Sequence, residues 1–138
     1  MTTHTVNTVF NKNMAFTSDI NGHKVLMDTT ADEDGDDSGP SPKRLMLASL
    51  AGCTGMDIVP ILNKMKVSFS DFSIEVHASL TQDFPKIYNY VKITYKIKVA
   101  EEDKTKMAKA VSLSQEKYCG VSAMFRAFAK MDTEIDFI

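Results

Sequence analysis

A chain of 138 residues, 43% hydrophobic and 25% charged, suits one globular domain, residues 1–138, with a real core and no room for a second. A formal charge of −2 argues against a nucleic-acid partner, which would call for a basic face. The opening stretch MTTHTVNTVFNKN has neither a basic start nor an apolar signal core, and no charge-free apolar run reaches the ~18–20 residues that cross a bilayer, so the expectation is a cytoplasmic protein with no membrane partner.

In chain order, residues 5–10, 14–17 and 23–28 are short runs containing Val, Phe, Leu and Thr. Asn11–Asn13 and the pair Asn21-Gly22 separate them as turn signals, which predicts a three-stranded antiparallel meander. Residues 29–39, TTADEDGDDSG, read as an acidic, solvated connection. Its Asp32-x-Asp34-x-Asp36 spacing resembles a calcium loop, but Asp37 and Lys43 stand where that loop needs glycine and a bidentate glutamate, so no metal site is assigned.

Ser41-Pro42 is a helix start, since a serine can accept an early helical N–H and proline tolerates the first turn. The helix expected over 42–64 is apolar on every side, the mark of a buried helix. Pro60 within it removes one hydrogen bond and predicts a kink near Met56 or an early end. At its middle stands Cys53, between Gly52 and Thr54. A thiol so placed is either a small packing hydrophobe or a reactive sulfur approached across small neighbours, and the helix alone leaves both open.

Residues 71–81 and 88–100 alternate apolar and polar with strict period two, the pattern of strands with one wet face, and Phe84-Pro85 falls in their connection. Residues 101–117 return to helical spacing with acidic residues in the first turn. Tyr118-Cys119-Gly120 interrupts it, 121–130 resumes a helix, and 132–138 reads as a last strand. Strands, buried helix, hairpin, helices, strand is the order of an α+β domain with antiparallel sheet against helices.

Cys53 and Cys119 are too far apart in the chain for a CxxC pair or a zinc ribbon, and His4, His23 and His77 are isolated. No GxSxG or phosphate-loop motif occurs. In a reducing compartment, two cysteines point to transient or redox-sensing chemistry over a stable structural disulfide.

Two segments carry a family resemblance. Ser41-Pro42 followed by Leu45-x-Leu47-Ala48-x-Leu50-Ala51-Gly52-Cys53, and Ala110-Val111-x-Leu113-Ser114-x-Glu116-Lys117-Tyr118-Cys119-x-Val121, resemble the two cysteine signatures of the OsmC/Ohr family of osmotically induced and organic hydroperoxide resistance proteins. The resemblance implies an intertwined homodimer with antiparallel sheets around a buried central helix. It implies Cys53 as the nucleophile and Cys119 as the resolving thiol, an organic hydroperoxide as substrate, a dithiol or thiol as reductant, and no metal or organic cofactor. Leu50, Met56 and Ile58 are the expected apolar walls.

The resemblance breaks at one point. The family's peroxidases stabilise the thiolate with an Arg from the N-terminal strands, held by a Glu early in the helix. Here Lys43 takes the Glu position, and Arg44 and Arg126 are the only arginines. A cation from Lys12, Lys24 or a partner subunit would have to replace it. Without one, the alternatives are redox sensing or slow thiol exchange, or a dimer that binds a lipid-like small molecule.

Overall fold

A computed structural model describes all 138 residues, which form two compact units, Met1–Met46 and Leu47–Ile138. In the first, β1 (Asn7–Lys12), β2 (Ala15–Ile20) and β3 (His23–Met27) form the expected antiparallel meander in the order β1-β2-β3. Asn21 and Gly22 both take positive φ, 41° and 89°, as a two-residue hairpin turn requires. Asp19 fixes that turn, accepting from the Gly22 amide at 3.0 Å and from Lys24 Nζ at 2.8 Å. Val9, Phe10, Phe16, Ile20 and Leu26 stay exposed on this small sheet.

The acidic segment is more ordered than a solvated connection. Buried Asp28 accepts from the Thr29 amide at 2.7 Å, the Ser38 amide at 3.1 Å and Ser38 Oγ at 2.5 Å. A short 3-10 turn, Ala31–Glu33, lies between its two partners in the chain. Gly35 is obligatory there, because a Cβ would sit 2.1 Å from the Thr29 carbonyl oxygen.

Helix α1, Pro42–Lys64, has the bounds that the sequence predicts, and it continues one turn past Pro60. Proline in the last turn leaves only the Met56 carbonyl without its helical donor, which an end so near can tolerate. Within the single chain, Leu50, Thr54, Ile58 and Leu62 are buried at a spacing of four, while Ser49, Gly52, Met56 and Pro60 are exposed, so one copy covers one side of the helix. By length and composition α1 could also cross a bilayer. Its charge-free stretch, between Arg44 and Asp57, is as short as expected. Thr54 and Asp57 are moreover tied into hydrogen bonds with other elements of the second unit, as a core helix requires.

In the second unit β4 (Phe69–Leu80) pairs antiparallel with β5 (Tyr88–Val99), and β6 (Lys130–Phe137) pairs parallel with β5. This sheet is therefore mixed, a correction to the wholly antiparallel expectation. The last strand arrives through a helical crossover, and a crossover, unlike a hairpin, can return the chain in the parallel sense. Central β5 sets Val91, Ile93, Tyr95 and Ile97 on its buried face, against Leu50, Ile58 and Leu62 of α1 in one core. The segment expected as one helix over 101–117 divides. A 3-10 turn, Glu101–Asp103, leads into α2 (Lys104–Leu113), which widens into a π-helical turn, Ser114–Tyr118. Cys119 then leaves helical geometry, with φ −75° and ψ 100°, and starts α3 (Gly120–Arg126).

Candidate functional site

Cys53, half-buried on α1, and Cys119, 3% exposed at the start of α3, are both free thiols. Their side chains are near enough to act on one another, Cys119 raising the Cys53 thiol, so the fold unites the two residues singled out by the sequence. Cys119 replaces the usual Ser or Asp at the helix start: its Sγ accepts from the Ser122 amide at 3.3 Å. The adjoining amide, Val121, lies toward Cys53 and favours its ionised form. The Cys119 sulfur thus takes one of the α3 donors that lack intrahelical partners.

The electrostatic balance runs against ionisation. Burial pushes the Cys53 thiol above its ordinary value. The Val121 amide pulls it back, and the Cys119 side chain and the Asp57 carboxylate raise it further. Asp57 lies one helical turn beyond Cys53, on the same side of α1. Of the two arginines, Arg44 donates to Ser41 Oγ at 3.1 Å, and Arg126 is exposed in the last turn of α3. Lys24 is paired with Asp19 in its own hairpin. Lys43 is exposed. The amide of Val121 is the stabilising donor that the sequence did not reveal, because a backbone group has no side-chain signature.

Two of the expected apolar walls are corrected. Leu50 and Ile58 are fully buried in the core and cannot line an open site. Met56 is 79% exposed.

Beside the thiols lies a buried polar cluster. Ser114 Oγ donates to Asp57 Oδ2 at 2.9 Å and lies 2.7 Å from Thr54 Oγ1, which lies 2.8 Å from Tyr95 Oη. Gln115 Nε2 reaches Tyr95 Oη at 2.9 Å and Thr54 Oγ1 at 3.3 Å. The sequence did carry a signal for it. Tyr95 falls on the buried face of a period-two strand, and a buried phenol needs a partner. Gln115 also faces an open groove of about 420 Å³, shared with Val111, Thr133 and Ile135.

The arrangement of paired thiols and amide donors invites comparison with known proteins. The OsmC-like protein family model matches residues 35–134. Protein YhfA of Escherichia coli strain K12 is 29% identical over 103 residues, covering 75% of this chain and 74% of its own. A hypothetical protein from Aquifex aeolicus superposes with a TM-score of 0.85 at 26% identity, covering 100% of this chain and 98% of that one. An organic hydroperoxide resistance protein from Legionella pneumophila has the same fold, with a TM-score of 0.69 at 18% identity over 99% and 98% of the two chains. With a family model that covers most of its length, both cysteine segments included, the chain belongs to the OsmC-like family.

Proposed function

We propose that this protein is a thiol-based redox protein of the OsmC-like family, in which Cys53 and Cys119 reduce organic hydroperoxides. The observation that carries the reading is the pairing of two free thiols near enough to act on one another, at the start of a helix whose Ser122 amide donates to Cys119. The Cys53 sulfur attacks the outer peroxide oxygen, becomes a sulfenic acid and releases the alcohol. Cys119 then displaces water from that sulfenic acid, and the disulfide closes before further oxidation. A dithiol or two thiols return the pair to the reduced state by exchange.

A second reading has its own support. Burial and Asp57 raise the Cys53 thiol, which fits slow thiol exchange or redox sensing better than rapid peroxide turnover. Consumption of cumene hydroperoxide by reduced protein and dithiothreitol tests the choice. Turnover that vanishes in Cys53→Ser supports the peroxidase; a Cys53–Cys119 disulfide formed without turnover supports the sensor.

The same proposal includes a homodimer in the cytoplasm. Ser49, Gly52, Met56 and Pro60 give α1 an open, mostly apolar stripe, and Phe10 and Phe16 do the same for the first sheet. Apolar surface of this kind is what a second copy covers. Sedimentation at micromolar concentration should find a dimer, and a stable monomer would remove this part.

A further inference from the structure

Two sulfurs are only as well aligned as the segments that carry them. Cys53 belongs to α1. Cys119 ends the π-helical turn, and its amide donates to the Ser114 carbonyl at 2.7 Å. Thr54, next after Cys53, meets Ser114 side chain to side chain. A closed path therefore runs from Cys53 through Thr54 and Ser114 to Cys119, and back across the thiol contact.

The proton order along this path is determined. Ser114 gives its one hydroxyl proton to Asp57, so Thr54 must donate to Ser114, and Tyr95 must donate to Thr54. Gln115 donates into the oxygens of Tyr95 and Thr54. Each hydroxyl proton has one destination, and Thr54, Ser114 and Tyr95 are fully buried. Such a network selects one arrangement of its elements, whereas apolar packing alone permits small slides. π-Helical turns are weakly favoured by themselves, so this one needs the outside support it receives.

We propose that Thr54, Ser114, Tyr95, Asp57 and Gln115 are positioning residues that hold Cys119 against Cys53, so that their mutual disulfide forms in preference to mixed disulfides with small thiols. The proposal rests on the reading of the two cysteines as a redox pair. In exchange with oxidised glutathione the two protein thiols give up two electrons and two protons; one S–S bond forms in the protein, the glutathione S–S bond breaks, and two glutathione thiols leave.

The test equilibrates the full chain in glutathione buffers and reads disulfide and glutathione adduct by mass spectrometry after alkylation. Thr54→Val keeps the shape and removes the hydroxyl. Its disulfide equilibrium constant should fall at least about ten-fold, as misalignment of reacting groups predicts, with glutathione adduct on Cys53 rising. Thr54→Ser should return it to within about three-fold of wild type, since it restores the hydroxyl. Should Thr54→Val fail to fold, Gln115→Met at the half-buried edge should shift the constant the same way, by about three-fold or more. Unchanged constants, or a loss that Thr54→Ser does not repair, overturn the positioning role and leave the redox pair standing. A wild-type chain that forms no Cys53–Cys119 disulfide overturns both.

Discussion

The side-chain oxygens of Thr54 and Ser114, sixty residues apart in sequence, lie 2.7 Å from each other in the buried interior of the second unit. The contact joins α1 to the π-helical turn at the residues that neighbour, or hold the backbone of, the two cysteines. Tyr95 adds β5 to the same junction. One polar cluster thus ties three elements of the core together beside the thiols.

Tyr95→Phe should expose how much this cluster contributes to stability. The substitution keeps the ring and removes the donor to Thr54, leaving buried groups partly unpaired. A loss of about 1–3 kcal/mol in urea unfolding is expected, the usual cost of a buried polar group left without its partner. Ile58→Ala, which empties a fully buried core position on the same helix, should lose about 2–5 kcal/mol. A Tyr95→Phe protein as stable as wild type would show that the hydroxyl cluster carries no net stability.

Ser122 provides the opposite case. Its hydroxyl is fully buried and has no hydrogen-bond partner, although its amide serves Cys119. Ser122→Ala removes an unsatisfied group and leaves the backbone donor in place. The variant should be as stable as wild type or more so, by up to about 1–3 kcal/mol. A destabilised Ser122→Ala would mean that the hydroxyl has a partner in solution.

Much of this architecture was legible because its signals are local. Strict alternation marked β4 and β5, Asn21-Gly22 marked a hairpin, and Ser41-Pro42 marked the start of α1. The two cysteines stood out by the motifs around them. What escaped was set by tertiary contact. The parallel pairing of β6 depends on the path of the crossover, not on its own residues. The π-helical turn differs from a continuous α-helix only in that its amides bond five residues back and not four, which periodicity cannot resolve. The inward side of α1 could not be read because the helix is apolar all round; β5 decides that Leu50 and Ile58 pack and Met56 does not. The ordered acidic segment depends on one buried carboxylate, Asp28, whose three donors lie in the loop it organises.

Asp28 should make that segment sensitive to acid. Hydrogen bonds from the Ser38 side chain and from the Thr29 and Ser38 amides hold its carboxyl below the ordinary carboxylate range. A depressed folded value favours the folded state above the unfolded carboxylate pKa of about 3.9, and that contribution is lost as pH falls through the folded value. The amides of Thr29 and Ser38 should therefore stay protected against exchange near neutrality and lose that protection only in strong acid. In Asp28→Ala both amides should exchange at their unprotected rates at every pH. Protection of both amides in Asp28→Ala would show that the 3-10 turn holds the segment without the carboxylate.

Cys53 is expected to behave as a reluctant thiolate. Burial raises its pKa first, and Cys119 and the Asp57 carboxylate add to the rise, while the Val121 amide alone opposes it. The thiolate fraction at neutral pH is then small, so iodoacetamide should label Cys53 slowly there. The rate should keep climbing beyond the pH, about 8.5, at which a free cysteine is half ionised. Asp57→Asn removes a negative charge one helical turn away while its amide oxygen can still accept from Ser114. Its labelling curve should move to lower pH, because a like charge no longer opposes ionisation. Peroxide reduction should follow the same curve in both proteins if the thiolate is the attacking species. Cys119→Ser should still undergo one oxidation at Cys53, and mass spectrometry should then find sulfinic acid accumulating, since no second thiol traps the sulfenic acid. A wild-type labelling curve that levels below about pH 6.5 would reveal a strong stabilising charge on the sulfur, such as a cation from a second copy. The raised thiol would then be a property of the single chain alone, and fast peroxide turnover would become the expectation for the assembled protein.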